Sequence, residues 1–328
     1  MLSGCWKAIA LSLALSFGAG AFAAESGQQE ESYENKVIAL DRLLSAGQFG
    51  LLEQELAQLA ASDRLFADGR NMAAVVHITL RAVLNPAYYS TDRERKGVLE
   101  RWRAAFPRSG FIAITDAIAL QDAAIAVRGT APAHRVPPES HELFKAKLRQ
   151  ADRLLMGAPV AVRDTAVWHL VRLQVLCGLR DKQAHAVFEA AIKRWPRHIE
   201  FNQTVVALLL PDQGGSWAAV TAFIEDAYRR AAPADSASLY THLHVYLRPY
   251  VGPGKLTLNW PRAKLGFADW MRRDSSPMIA NYYASFACLA QDKPAFDEAM
   301  GLIGLEVFPT QWLTGHGPEA CRRWAGNQ

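Results

Sequence analysis

Residues 165–197 read TAVWHLVRLQVLCGLRDKQAHAVFEAAIKRWPR, and the spacing of their apolar side chains decides the fold class. Two apolar-periodic runs flank a short polar break, and each run has the period of a helix. Ala184 and Ala191 are small enough to let two helices approach, and Phe188 fills the groove between them. Pro196 has no amide proton and clashes with the preceding turn, so it ends the second helix. Cys177, in LQVLCGL, reads as a small buried core residue of the first.

The same grammar extends in both directions. Val37, Leu40, Leu43 and Leu44, then Leu51, Leu52, Leu56 and Leu59, recur at three- and four-residue spacings. Strand-like alternation bounded by hairpin turns is almost absent. Short breaks fall at Gly47, Asn85-Pro86, Pro107, Gly129 to Pro138, Pro159, Pro196, Gly214-Gly215 and Gly252 to Gly254. The expected fold is all-α, with stacked antiparallel helical hairpins. Residues 165–197 match the 34-residue tetratricopeptide pattern at Trp168, Ala184, Phe188, Ala191 and Pro196. Arg172 stands where a small residue belongs. WAAVTAFIEDAYRRAAP (217–233) and CLAQDKPAFDEAMGLIGLEVFP (288–309) echo a second helix running toward a proline. The reading is degenerate tetratricopeptide-like repeats in a right-handed α-solenoid. Its parts are a signal peptide (1–23), a polar lead (24–35), a helical-repeat domain (36–250) and a helical extension packed on it (251–328).

The signal peptide rests on MLSGCWKAIALSLALSFGAGAFAA. Lys7 is its single charge, Ala8 to Phe22 is apolar, and Ala21-Phe22-Ala23 fits a cleavage site. Cys5 imitates a lipid-accepting cysteine but precedes the apolar run instead of following it. The expected product is exported to the periplasm, with no membrane span after signal removal. Cys177, Cys288 and Cys321 then remain, an odd number in a compartment that permits disulfides. Cys288 and Cys321 could bridge the last helices, although two isolated cysteines do not establish a bond.

Of the 328 residues 50% are apolar and 21% charged, which is ordinary for a globular protein and argues against disorder. With 36 basic and 32 acidic residues the net charge is +4, no footprint of a nucleic-acid binder. The densest basic cluster, Arg93, Arg95, Lys96, Arg101 and Arg103, is interrupted by Asp92, Glu94 and Glu100 and reads as a solvated helix face. No metal or cofactor is expected. The nine histidines lack zinc spacing, and His242 and His244 point about 200° apart on a helix. There is no nucleophile elbow. Gly252-Pro253-Gly254-Lys255 lacks the first glycine of a phosphate loop, and Leu256 replaces its Ser or Thr. In LLLPDQGGSW (208–217), Pro211 marks the exit from a helix over 199–210. Gly214 and Gly215 permit a tight reversal, and Ser216 caps a helix beginning at Trp217, without a reciprocal Glu or Gln at position 219. Trp102, Phe106, Trp168, Trp195, Trp217, Trp260, Trp270, Trp312 and Trp324 either fill the core between hairpins or line a concave groove.

Three stretches together resemble a bacterial domain-of-unknown-function family, DUF family 4034: ERWRAAFPRSGFIAITDAIALQDAAIAVRGTAP, FKAKLRQADRLLM and LLLPDQGGSWAAVTAFIEDAY. The shared features are Trp102 followed by Phe106-Pro107-Arg108-Ser109, then Arg128-Gly129, then Gly214-Gly215-Ser216, with Phe66 to Arg70 earlier. The resemblance covers residues 36–250 and implies a helical, tetratricopeptide-like fold without a known activity, substrate or cofactor. Gln213 and Asn71 stand where that family has tryptophans. Physically, Gly129 suits the left-handed residue that ends a helix over 113–127, and Arg128 favours its negative end; alternatively Arg128 presents its guanidinium to a partner carboxylate. Trp102, Pro107, Arg128, Gly129, Gly214, Gly215, Ser216 and Trp217 are the candidate interaction residues. The expected function is a non-enzymatic scaffold for an unidentified protein or peptide. A small-ligand binder with an aromatic-lined cavity is one alternative. An envelope enzyme using Arg128, Asp116, Asp122 and Glu139 is another.

Overall fold

A computed structural model describes residues 32–66, 69–85, 91–129, 135–250, 257–313 and 316–326. The signal peptide, the polar lead up to residue 31, Asp68, most of the loop over 130–138 and the Gly252 to Gly254 turn lie outside the described residues. Within them are sixteen α-helices and no extended strand; Leu65 and Asn71 form one isolated antiparallel bridge. The chain is all-α, built from helices packed on their sequence neighbours.

The chain divides into two compact units, one of residues up to 208 with 212–214, the other of 209–211 with 215 onward. The first contains α1 (Tyr33–Ser45), α2 (Phe49–Ala60), α3 (Ala74–Ala82), α4 (Asp92–Ala105), α5 (Gly110–Arg128), α6 (Pro138–Gly157), α7 (Val160–Arg163), α8 (Ala166–Leu179), α9 (Gln183–Arg194) and nearly all of α10 (Ile199–Leu209). Its centre is α5, GFIAITDAIALQDAAIAVR, which is apolar around most of its circumference because α3, α6 and α8 all pack on it. By length and composition α5 could cross a membrane, but half of it is buried inside the protein as a core helix. Ser109 starts it, accepting hydrogen bonds from the amides of Phe111 and Ile112.

The quoted hairpin is α8 and α9. Thr165 caps α8 by accepting from the Trp168 amide, and Trp168, Phe188 and Ala191 are buried. Helix α9 stops at Arg194, just before Trp195 and Pro196. Arg172 reaches beyond its own helix: Nε donates to Asp152 on α6 at 3.1 Å and Nη2 to Gln183 on α9 at 3.2 Å. A residue that breaks the repeat pattern therefore clamps three helices.

The second unit contains α11 (Trp217–Arg230), α12 (Pro233–Leu247), α13 (Trp260–Arg273), α14 (Pro277–Leu289), α15 (Lys293–Ile303) and α16 (Pro318–Gly326). The boundary expected at 250/251 falls between α12 and α13, which pack on each other inside this unit. Their approach depends on Gly266, where a Cβ would lie 2.0 Å from Thr241 Oγ1 and 2.2 Å from the Ala237 carbonyl oxygen. Asp292 caps α15 and also receives Trp260 Nε1 (2.8 Å) and Lys264 Nζ (2.9 Å) from α13. Those hydrogen bonds pull its carboxyl down to about 2. Asn281, fully buried, accepts from Trp312 Nε1 and the Phe308 amide and donates to the carbonyls of Pro277 and Glu306. Cys288 on α14 is joined by a disulfide to Cys321 on α16. Cys177 is buried in α8 and takes no part in that bond.

Candidate functional site

Trp102 and Arg128 of the motif string are drawn into packing, whereas Pro107, Gly214, Gly215 and Ser216 are exposed. Trp102 is fully buried, stacks on Phe49 and donates from Nε1 to Glu53 Oε1 at 2.8 Å. Burial raises the Glu53 carboxyl, while hydrogen bonds from Ser109 and Trp102 pull it back. Trp102 and Ser109 therefore meet on one carboxylate of α2, which gives their spacing a structural reason. Pro107 lies exposed in the turn between α4 and α5. Arg128, 3% exposed, donates from Nη1 to the Gly129 carbonyl at 2.8 Å. Gly129 departs from the left-handed helix terminus expected of it: with φ 69° and ψ −175°, it sits in a region reserved for glycine but extended in ψ. Asp116 is paired with Arg103 and Asp122 with Arg81, each at 2.6 Å, and Glu139 is exposed at the start of α6. These carboxylates belong to separate partners.

The bend over 208–217 uses its two glycines differently. A 3₁₀ turn, Pro211–Gln213, follows α10, and Gly214 takes φ +90°. Gly215 needs no positive φ; there a Cβ would lie 2.1 Å from the Leu209 carbonyl oxygen, so the constraint is space. Ser216 Oγ accepts from the Ala219 amide at 3.1 Å and starts α11. Trp217 is half-buried beside it. Gln213 is buried, and so is Asn71, whose Oδ1 accepts from the Ala73 amide at 2.8 Å. Both positions that depart from the resembled family are thus occupied by integrated polar residues.

Among the described residues, two of the hollows open on the first unit. One, of about 450 Å³, lies between α6 and the turn joining α8 to α9, lined by Lys145, Arg149, Asp152, Arg153, Leu179 and Asp181. Its two carboxylates are engaged: Asp152 by Arg172, and Asp181 by the Gln183 amide at 2.8 Å. Lys145 holds the exposed Glu142 at 3.0 Å. That hydrogen bond, with the charges of Lys145 and Arg149, keeps the Glu142 carboxyl below its ordinary value. Arg149 and Arg153 are exposed and make no hydrogen bond or ion pair among the described residues. The signal lies in FKAKLRQADRLLM, whose basic residues at positions 145, 149 and 153 share one helical face, and the greater charge density at 93–103 masks it. The other hollow, of about 430 Å³, is lined by Val160, Ala161, Arg163, Asp164, Trp168 and His169.

A third cluster is centred on the buried His198. His198 Nδ1 lies 2.7 Å from Glu200 Oε2. Burial raises the Glu200 carboxyl, but the charge and hydrogen bond of His198 outweigh it and leave the group at about 2. His77 on α3 adds to this field; burial and then the Arg81 charge push its own imidazole down to about 3. The His198 side chain has no exposed surface, so a substrate cannot reach it without opening the unit. These histidines are remote in sequence, which is why spacing rules do not find them. His242 and His244 do point apart: His242 stacks on Trp270 and His244 packs against Tyr240.

No family model, curated protein or solved structure matches the chain.

Proposed function

We propose that the chain is an exported, non-enzymatic helical-repeat scaffold that binds a protein or peptide at the cleft between α6 and the α8–α9 turn. The observation that carries this reading is the pair of exposed guanidiniums, Arg149 and Arg153, in a concave site whose carboxylates are already committed. Such an arrangement offers binding capacity on a surface built from helical hairpins, as repeat proteins do. The hairpin α8–α9, with Trp168, Phe188 and Ala191 buried, supports describing the repeats as tetratricopeptide-like. The Cys288–Cys321 disulfide supports an oxidising compartment and hence export. The resemblance to DUF family 4034 adds fold and no chemistry. The test is affinity capture from envelope extract with the full chain, produced with its own N-terminal segment, against its Arg149→Glu/Arg153→Glu variant. A partner retained by the first and lost by the second is the expected result; identical capture by both rejects the cleft as the binding surface.

A small-ligand reading draws on the hollow beside Trp168 and His169, the aromatic-lined one. A thermal-shift screen tests it, since a ligand at a hundred times its dissociation constant adds about 2.7 kcal/mol.

A further inference from the structure

We infer that the partner of the α6 cleft is an acidic peptide segment in extended conformation, with two carboxylates on alternate residues and an apolar side chain between them. This rests on the proposed binding role of the cleft and names what binds there.

The argument starts from spacing. Arg149 and Arg153 stand one helical turn apart, so their Cβ atoms are about 5–6 Å from each other. Alternate residues of an extended chain are about 6.6 Å apart, twice the rise of a strand. Two acidic side chains at positions i and i+2 of an extended segment therefore reach both guanidiniums at once. The basic row from Lys145 to Arg153 runs about 12 Å, at 1.5 Å per residue, which is the length of roughly four extended residues. Leu179 supplies an apolar wall to the cleft. It suits the side chain between the two acids, which an extended segment turns away from the α6 face.

Charge complementarity sets the class of partner. Asp152 is neutralised by Arg172, Asp181 accepts from the Gln183 amide, and Lys145 is paired with Glu142, so the unpaired cations that a ligand meets in the cleft are Arg149 and Arg153. Guanidinium binds carboxylate in a planar fork, with two parallel hydrogen bonds. A long nucleic acid needs a basic surface extending over many phosphates, whereas this site is short and the whole chain carries only +4.

The experiment is fluorescence polarisation with the full chain and a labelled peptide carrying the core Glu-Leu-Glu between glycine-serine flanks. Binding is expected to fall at least tenfold for the Gln-Leu-Gln peptide and at least tenfold for Arg149→Glu/Arg153→Glu. Arg149→Lys/Arg153→Lys is expected to weaken binding less than the charge reversal does, by about three- to tenfold, because it keeps the charge on the same helix face but loses the fork. Arg322→Glu/Arg323→Glu, an equal change of net charge on α16 of the second unit, is expected to leave binding unchanged. Equal binding by the charge-reversed cleft overturns the inference. So does displacement of the peptide by a polyphosphate or oligonucleotide at lower concentration than by unlabelled peptide. If no acidic peptide binds, yet a captured partner still requires Arg149 and Arg153, the inference falls and the scaffold reading stands. If capture is indifferent to both arginines, the scaffold reading of the cleft falls with it.

Discussion

Arg180 Nη2 donates a 3.0 Å hydrogen bond to the carbonyl oxygen of Gln213, tying the end of α8 to the bend at the edge of the first unit. Arg180 adopts φ 56° and ψ 38°, the left-handed conformation, as a residue with a side chain. That conformation costs an ordinary L-residue about 1–2 kcal/mol. Its amide bonds to the α8 carbonyls and its guanidinium to Gln213 hold it there.

Two substitutions separate the strain from the bond. Arg180→Ala removes the hydrogen bond and keeps the strained backbone, so it should destabilise the first unit by about 1 kcal/mol. Arg180→Gly removes the same bond but relieves the backbone, and should lie closer to wild type than the alanine variant. Urea unfolding followed by tryptophan fluorescence measures both. A glycine variant less stable than the alanine variant contradicts the assignment of strain at this position.

The glycine pair of the bend makes a second contrast. At Gly214 the obstacle is φ +90°, so alanine should cost about 1–2 kcal/mol. At Gly215 a Cβ meets the Leu209 carbonyl oxygen at 2.1 Å; because that atom is backbone, the chain itself must shift, and the cost should reach about 2–3 kcal/mol. Thermal melts of Gly214→Ala and Gly215→Ala should rank in that order. If both alanines are tolerated, the sequence signature there has a purpose other than geometry.

These glycines also mark what could be read in advance. Helix type, the exit at Pro211, the Ser216 cap and the α8–α9 hairpin follow from periodicity and capping chemistry, which act within a few residues. The reversal was legible, but the separate duties of Gly214 and Gly215 were not, since one depends on a carbonyl placed by the preceding helix. Gly266 and Gly110 are hidden for the same reason. A Cβ on Gly110 would strike Val162 at 2.5 Å, and Val162 is fifty-two positions away. The candidate site behaves alike. The basic row on α6 is local and visible, whereas the concavity comes from the turn after α8, brought near by tertiary packing. His77, His198 and Glu200 meet only in the folded chain, beyond the reach of any spacing rule.

That histidine and glutamate group predicts an acid-sensitive first unit. His77 has its folded pKa lowered from 6.5 to about 3, so the unfolded chain takes up the proton first. Its contribution to stability is present above pH 6.5 and declines as pH falls toward 3. Glu200, lowered from 4.5 to about 2, acts in the same direction between those values. From pH 7.5 to 5.5, His77 alone should reduce the folding constant about tenfold. His169 in the same unit is also lowered, chiefly by burial, and remains in a His77→Gln variant. Urea titrations at the two pH values should show a smaller difference for that variant than for wild type. An unchanged difference shows that His77 is not the proton acceptor.

The last prediction concerns the second unit. Cys288 and Cys321 are 33 positions apart in sequence, and closing a loop of that length restricts the unfolded chain by about 3–4 kcal/mol. Cys288→Ala/Cys321→Ala should lose stability of that order in guanidinium titration. Addition of dithiothreitol should lower the wild type to nearly the same level and leave the variant unaffected. A subtler consequence follows from the size of α16, nine residues, too short to persist as a helix without tertiary support. The disulfide, the edge-on contact of Trp324 with Phe296, ring centres 5.7 Å apart, and the buried Ala325 attach it to the core of the unit. Without the disulfide, amide hydrogen exchange across residues 318–326 should accelerate well before the rest of the unit, because the aromatic contact adds about 0.5–1.5 kcal/mol beyond its buried area and Ala325 buries only a methyl group. Should exchange there keep pace with α14 in the variant, packing and not the covalent link holds α16 in place.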